Sequence, residues 1–163
     1  MNYLGLDQKD TRRVSDELNT ILSCYHVYYQ NLRNFHWHVE GQNFFDMHKL
    51  FEKMYNDAKA KIDAIAERIL TIRQKPMGLM SEYLENSKVK EAGSELADEE
   101  MVDTILENHK EIIDCMRRTL KISGEIHDDG TVDLIAGFLA DMEKRSWMLD
   151  AWRSKKFATE MAQ

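Results

Sequence analysis

Four side chains that could bind a transition metal lie on one stripe of a single long predicted helix. They are His48, Glu52, Asp63 and Glu67. At about 100° per residue, they fall at roughly 0°, 40°, 60° and 100° around the helix axis. Imidazole and carboxylate groups bind divalent iron, manganese or zinc. The spacing therefore predicts a mixed histidine and carboxylate metal site.

The stripe is too long for one helix to surround one ion. His48 and Asp63 are 15 residues apart, which is about 22 Å at ~1.5 Å per residue. Either the stripe holds two half-sites, or a second copy supplies the missing half. If an identical helix crosses antiparallel near Asp57, then His48 and Glu52 approach Asp63 of the partner subunit. Such two-fold contacts are the commonest kind of oligomer interface.

A second histidine precedes the stripe across a short predicted turn. His36 lies 12 residues before His48, so the two imidazoles should fold close together. The predicted site therefore combines His36, His48 and Glu52 of one chain with Asp63 and Glu67 of the partner subunit. No glutamate is followed by a histidine three residues later, so the usual di-iron motif inside one bundle is absent from the sequence.

Each ligand type alone would have an ordinary explanation. A single histidine on a bundle face is usually a polar side chain with a hydrogen-bond partner, and a pair of carboxylates is usually a solvated helix face. The pattern of five potential ligands across a two-fold axis favours metal binding over both.

Apolar residues recur at helical spacing through most of the chain, and alternating strand patterns are scarce. Two short turns and one long connection predict an all-α fold, a ferritin-like four-helix bundle with one long crossover containing a short helix. We expect one domain over residues 1–163. The predicted helices cover about 8–37, about 43–74 with Pro76 as its stop, a short helix within 77–86, a third long helix from Asp98 to Gly124, and a fourth that opens at Asp128 to Gly130.

Composition limits the function classes. The 163 residues carry a net charge of −7 with a pI near 5.4, which opposes nonspecific binding of nucleic acid and suits attraction of cations. Cys24 and Cys115 match no paired zinc motif and are expected to be reduced core thiols. No apolar run long enough to span a membrane or to act as a secretion signal is present, so we expect a cytoplasmic protein.

Several segments resemble the Dps family of mini-ferritins, over about residues 10–155. They are HWHVEGQNFFDMHKLFEKMY and DAIAERIL, which hold the predicted ligands, and DDGTVDL and MEKRSWML near the C-terminus. The resemblance implies a hollow shell of twelve subunits with di-iron ferroxidase sites at two-fold interfaces. Fe(II) would be oxidised, preferentially by hydrogen peroxide, and stored as a ferric mineral. Glu52 stands where many members carry aspartate.

The resemblance also suggests roles for residues near the site and at the shell pores. Trp37 follows the ligand His36 and could donate an electron that quenches radicals, or it could pack at the helix end. Asp128, Asp129 and Asp133 fall where the family places its three-fold pores, where carboxylates would attract Fe(II). Their alternative role is to cap the fourth helix and oppose its dipole, with Asp129 as the cap.

Two other functions stay open from the sequence: a shell that compacts DNA, and a helical assembly with no chemistry. DNA binding needs a cationic surface. Twelve copies at −7 would carry about −84, so we expect DNA binding to be weak or absent. The terminal segments offer only a few cations, Lys9, Arg12, Arg13, Arg153, Lys155 and Lys156.

Overall fold

A computed structural model describes residues 3–160 of the chain, with side chains as far as Ser154. Within that part, the protein consists of five helices and no strand. Four are long and one is short, which confirms the predicted all-α bundle. The helices are α1 (Gln8–His38), α2 (Phe44–Thr71), α3 (Met80–Asn86), α4 (Asp98–Glu125) and α5 (Asp129–Glu160).

The core lies between the four long helices. Helix α1 is central, because it packs against α2, α3 and α4, while α5 packs against α4. Apolar side chains at helical spacing face inward from every long helix. Fully or almost fully buried examples are Leu18, Tyr25, Tyr28, Leu32 and Phe35 of α1, Phe51, Met54, Ile65 and Ile69 of α2, Ile105, Ile112 and Met116 of α4, and Ile135, Met142 and Leu149 of α5. No helix within the described residues is long and apolar enough to cross a membrane.

Helix α2 ends at Thr71, earlier than the prediction that placed its stop at Pro76. The stop is a backbone turn at Arg73, which has a φ of 63°. The N–H of Gln74 then donates to the carbonyl of Ile69 at 3.0 Å. This is the Schellman arrangement, which satisfies carbonyls that the helix end leaves without partners. The sequence does not predict this helix end, because the left-handed position is occupied by arginine, where glycine is usual.

Helix α4 ends in the same way, and the predicted stop at Gly124 is wrong. Gly124 lies inside the helix, which continues to Glu125. The left-handed residue is His127, with a φ of 57°. The N–H of Asp128 donates to the carbonyl of Ser123 at 2.9 Å. A three-residue connection, residues 126–128, therefore reverses the chain directly into α5.

Two asparagines of α1 hold the long connection between α2 and α4 in place. Asn19 donates to the carbonyl of Lys75 at 3.3 Å and accepts from the amide of Met77 at 2.8 Å. Asn31 donates to the carbonyl of Lys90 at 2.9 Å and accepts at 2.9 Å from the amide two residues further on. These bonds satisfy backbone groups that no helix pairs.

Candidate metal centre

The two histidines of the predicted site lie side by side. His36 is in the last turn of α1 and His48 is in the second turn of α2, and the short turn around Gly41 connects the helices. Gly41 has a φ of 96°, a left-handed conformation that favours glycine. The two imidazole rings stack with centroids 3.7 Å apart and an angle of 17° between their planes.

The hydrogen bonds of the two rings assign their tautomers. His36 Nδ1 lies 2.7 Å from the backbone oxygen of His48, and His48 Nδ1 lies 2.7 Å from the backbone oxygen of His36. A carbonyl oxygen can only accept, so each Nδ1 carries the proton and donates. In the neutral form of each ring, Nε2 then keeps its lone pair, and neither Nε2 has a hydrogen-bond partner within the described residues. Metal-binding histidines are commonly oriented in this way.

Aromatic residues surround the histidine pair and restrict how the rings can turn. Phe44 stacks on His48 with centroids 5.0 Å apart. Tyr55 meets His36 edge-on at 5.3 Å and meets Tyr29 edge-on at 6.0 Å. The sequence analysis did not single out Tyr55 as part of the site. Tyr55 lies seven residues after His48, which is two helical turns along the same face, and this spacing could have predicted its place beside the histidines.

The three predicted carboxylates, Glu52, Asp63 and Glu67, lie exposed along α2. Within the described part of the chain, none of them forms an ion pair or a side-chain hydrogen bond. Asp57 of the same helix is neutralised, since it accepts from Lys61 at 3.0 Å and from Arg145 at 3.3 Å. The stripe therefore presents uncompensated negative charge to whatever faces α2.

One chain does not assemble the whole set. No group of three or more potential ligands comes together in the residues that the structure describes. His36 and His48 are adjacent, but Asp63 and Glu67 lie several turns away along α2. The potential ligands thus lie in two separate groups, one at each end of the stripe.

Trp37 is 54% exposed beside the histidine pair. The guanidinium of Arg33 lies 4.9 Å from the centre of its indole ring and 5.2 Å from the ring of Tyr29. A cation over an aromatic face is attracted by the ring electrons. The indole is therefore held on the surface next to His36, not packed inside the bundle.

The structure separates the three pore candidates and corrects two of the assignments. Asp128 is 2% exposed and pairs with Arg68 of α2, so it cannot line a pore. Asp128, not Asp129, is also the residue that caps α5, because it accepts from the amide of Thr131 at 3.2 Å and from its hydroxyl at 2.6 Å. Asp129 and Asp133 are exposed.

Comparisons with known proteins agree on one family. A family model described as "Ferritin-like domain" matches residues 15–156. The chain is 39% identical to a DNA protection during starvation protein of Porphyromonas gingivalis, over 95% of this chain and 98% of that protein. It is 37% identical to DNA protection during starvation protein 2 of Bacillus anthracis, over 86% of this chain and 97% of that one.

Solved structures show the same similarity. A Dps protein from Vibrio cholerae O1, titled a member of a broad superfamily of ferritin-like diiron-carboxylate proteins, superposes with a TM-score of 0.91 at 35% identity, covering 93% of this chain and 96% of that one. Dps from Staphylococcus aureus superposes with a TM-score of 0.85 at 36% identity, covering 91% and 98% of the two chains.

Proposed function

Because the chain belongs to the Dps family of ferritin-like proteins, we propose that it oxidises Fe(II) at sites shared between two subunits and stores the ferric product. The description of the Vibrio cholerae relative as a diiron-carboxylate protein supports iron as the substrate. The names of the relatives from Porphyromonas gingivalis and Bacillus anthracis refer to protection during starvation and support a protective role.

The proposal depends most on one observation: the candidate ligand atoms of His36, His48 and Glu52 have no partner within the described residues. The Nε2 atoms of His36 and His48 are left as lone-pair donors by the reciprocal hydrogen bonds of their Nδ1 atoms. Glu52 extends from the next turn of the same helix without a cation partner. Nitrogen and oxygen ligands of this mixture suit Fe(II), and the oxygen ligands also stabilise Fe(III).

A second subunit would complete the set. In the antiparallel arrangement about a two-fold axis, Asp63 of the partner subunit and Glu67 of the partner subunit would meet His48 and Glu52. Large apolar side chains exposed on the single chain near the two ends of the stripe support such a contact, because exposed apolar patches mark interfaces. Phe45 is 83% exposed and Leu70 is 59% exposed.

The proposed reaction joins two one-electron donors to one two-electron acceptor. Two Fe(II) ions each give one electron to hydrogen peroxide, its O–O bond breaks, and two protons complete two water molecules. Because both electrons arrive together, the one-electron route to hydroxyl radical is avoided. The same site could use O₂ in place of peroxide. Trp37 would reduce any radical that escapes, since its indole lies exposed beside His36.

We further propose that the assembly is the twelve-subunit shell of the family and acts in the cytoplasm. The exposed carboxylates of Asp129 and Asp133 at the start of α5 are then the candidates for attracting Fe(II) to the pores, since a ring of like charges concentrates the opposite ion. The ferric product would hydrolyse and accumulate inside.

Subunit complementation tests the shared site. One variant carries His36→Ala and His48→Ala, and the other carries Asp63→Asn and Glu67→Gln. Either variant alone should lose rapid peroxide-driven oxidation of Fe(II), because every site lacks half of its ligands. Random mixing should restore roughly a quarter of the sites, since about half of the two-fold pairs are mixed and each mixed pair has one intact site of two.

Stopped-flow absorbance after anaerobic loading with Fe(II) gives the rate and amplitude. The matched control is His38→Ala, because His38 is exposed, lies two residues from His36 and also donates Nδ1 to a backbone carbonyl, that of Asn34, at 2.8 Å. This variant should keep the wild-type rate. Failure of the mixture to recover activity, while particle mass shows intact assemblies, would reject a site shared between subunits.

A further inference from the structure

The two cysteines of the chain form a buried pair far from each other in sequence. Cys24 of α1 and Cys115 of α4 are 0% and 1% exposed, and neither is in a disulfide. A hydrogen bond joins the two thiol groups across the packed helices. The sequence predicts two core thiols, but it does not predict that they are neighbours.

Hydrogen-bond donors converge on both sulfur atoms. The backbone N–H of Lys88 donates to Cys24 Sγ at 3.3 Å. Arg118 Nη2 donates to Cys115 Sγ at 3.0 Å. A structural buried cysteine behaves as a small apolar residue and needs no such donors. Donors and a guanidinium around sulfur instead stabilise a thiolate.

The protonation of the pair follows from this surrounding. The hydrogen bond from Cys115, assisted by the amides of Lys88 and Val89, lowers the pKa of Cys24 to about 6. The same hydrogen bond, together with burial, raises the pKa of Cys115. The contacts therefore favour a thiolate on Cys24 beside a protonated thiol on Cys115.

We propose that Cys24 and Cys115 are a modification site, a thiol pair that hydrogen peroxide oxidises to a disulfide between α1 and α4. Binding of a soft metal cation is the less favourable use of two such sulfurs. The guanidinium of Arg118 already lies against Cys115, and its positive charge would repel a metal ion.

The reaction takes two steps. The Cys24 thiolate attacks one oxygen of peroxide, so that an S–O bond forms, the O–O bond breaks, and the departing hydroxide takes the proton of Cys115 and leaves as water. The Cys115 thiolate, held beside Arg118, then attacks the sulfur of the Cys24 sulfenic acid. The S–S bond forms and hydroxide leaves. Sulfur is oxidised by two electrons and peroxide is reduced by two.

Burial makes the site selective for small oxidants. Both sulfurs are buried between packed helices, and the non-helical segment 87–97 covers Cys24 through the amide of Lys88. Hydrogen peroxide is little larger than water, whereas aromatic disulfide reagents are far larger. We therefore expect peroxide to react with the native protein and the bulky reagent to react only after unfolding.

The test uses the assembled, metal-free protein with a chelator present, so its outcome is independent of iron oxidation. After exposure to peroxide, the protein is alkylated under denaturing conditions and digested without reductant. The expected result is a peptide pair joined through Cys24 and Cys115. In Cys115→Ser, dimedone added as the peroxide-treated protein is unfolded should label Cys24, which detects the sulfenic acid. In Cys24→Ser, no linked peptide pair should form, because one of the two sulfurs of the disulfide is absent.

Recovery of both thiols of the wild-type protein as alkylated cysteines after excess peroxide would overturn the proposal. Preferential oxidation of Cys115 in the wild-type protein would also overturn it. The wild-type measurement alone decides this outcome, whether or not the serine variants fold.

Discussion

His36 and His48 differ from the buried His109 in how many ring nitrogens are in use. His109 is held at both nitrogens, with Nε2 2.8 Å from the hydroxyl of Tyr28 and Nδ1 2.7 Å from the hydroxyl of Ser146. It has no lone pair left for a metal. His36 and His48 each use only Nδ1, and their Nε2 atoms stay available. Burial alone does not distinguish a structural histidine from a candidate metal ligand, but the number of ring nitrogens that form hydrogen bonds does.

The neutral state of His109 predicts a pH dependence of stability. Burial, together with the positive charges of Arg145 and Lys61, lowers its pKa to about 3, whereas an unfolded histidine protonates near 6.5. Between these values the unfolded chain binds more protons, so the free energy of unfolding falls as the pH falls below 6.5. From pH 7 to pH 5, His109→Gln should lose up to about 2 kcal/mol less than the wild-type protein.

Chemical denaturation at equal protein concentration at the two pH values measures the difference. The exposed variant His38→Gln should keep the wild-type dependence. An unchanged pH dependence in His109→Gln would show that His109 is not the group responsible.

At the scale of helices, a buried junction fixes the start of α5 against the end of α2. The guanidinium of Arg68 contacts Asp128 and donates to the hydroxyl of Thr131 at 2.9 Å. Gly130 makes room for it, because a Cβ there would lie 2.8 Å from Arg68 Nη2. The junction keeps α2, which carries the ligand stripe, in register with the rest of the bundle.

Removal of the carboxylate at this junction should be costly. Asp128→Ala leaves a partly buried guanidinium without its partner and removes the cap of α5, so the free energy of unfolding should fall by about 3–5 kcal/mol. The neighbouring Asp129→Ala removes an exposed carboxylate and should change it by less than about 0.5 kcal/mol. Urea denaturation of both variants at one protein concentration tests this, and equal losses would contradict the assignment of the cap to Asp128.

At the scale of the whole molecule, charge governs what the assembly attracts. The chain carries −7, and many of its cations are already paired with carboxylates. Arg145 pairs with Asp57, Arg117 with Glu143, and the C-terminal Arg153 with Asp103 and Asp150. The side chains of Lys155 and Lys156 lie outside the described residues. The charge therefore suits collection of Fe(II) better than binding of phosphate backbones.

Iron uptake through the proposed pores should depend on Asp133 and on salt. Asp133→Asn should slow mineral formation several-fold at low ionic strength, with a smaller effect at high ionic strength, because screening weakens the attraction of Fe(II). The initial rate of oxidation at the ligand site should be measured alongside, with substoichiometric iron. Uptake equal to that of the wild-type protein at low salt would remove Asp133 from the pathway.

DNA should not be retained by the assembly. At physiological salt and without divalent metal, a mixture with plasmid should leave the mobility of the plasmid band unchanged, because the net charge repels the phosphates. A retarded band under these conditions would restore the DNA-compacting function that the charge disfavours.

The sequence by itself determined the helices and placed the candidate ligands on one stripe, from which a second half-site on a partner subunit is predicted. These follow from local periodicity and from spacing along one helix, as the positions of His48 and Asp63 show. It also placed His36 near His48, because two helices joined by a short turn pack against each other in antiparallel orientation.

Only the tertiary structure decided which side chains form contacts that stabilise the bundle. It bonded each imidazole to the backbone of the other, buried Asp128 under Arg68, and brought Cys24 to Cys115. It also ended two helices at Arg73 and His127 in place of the expected residues. The physical reason is that these contacts join residues far apart in sequence or arise from packing around a turn, and neither helix propensity nor spacing carries that information.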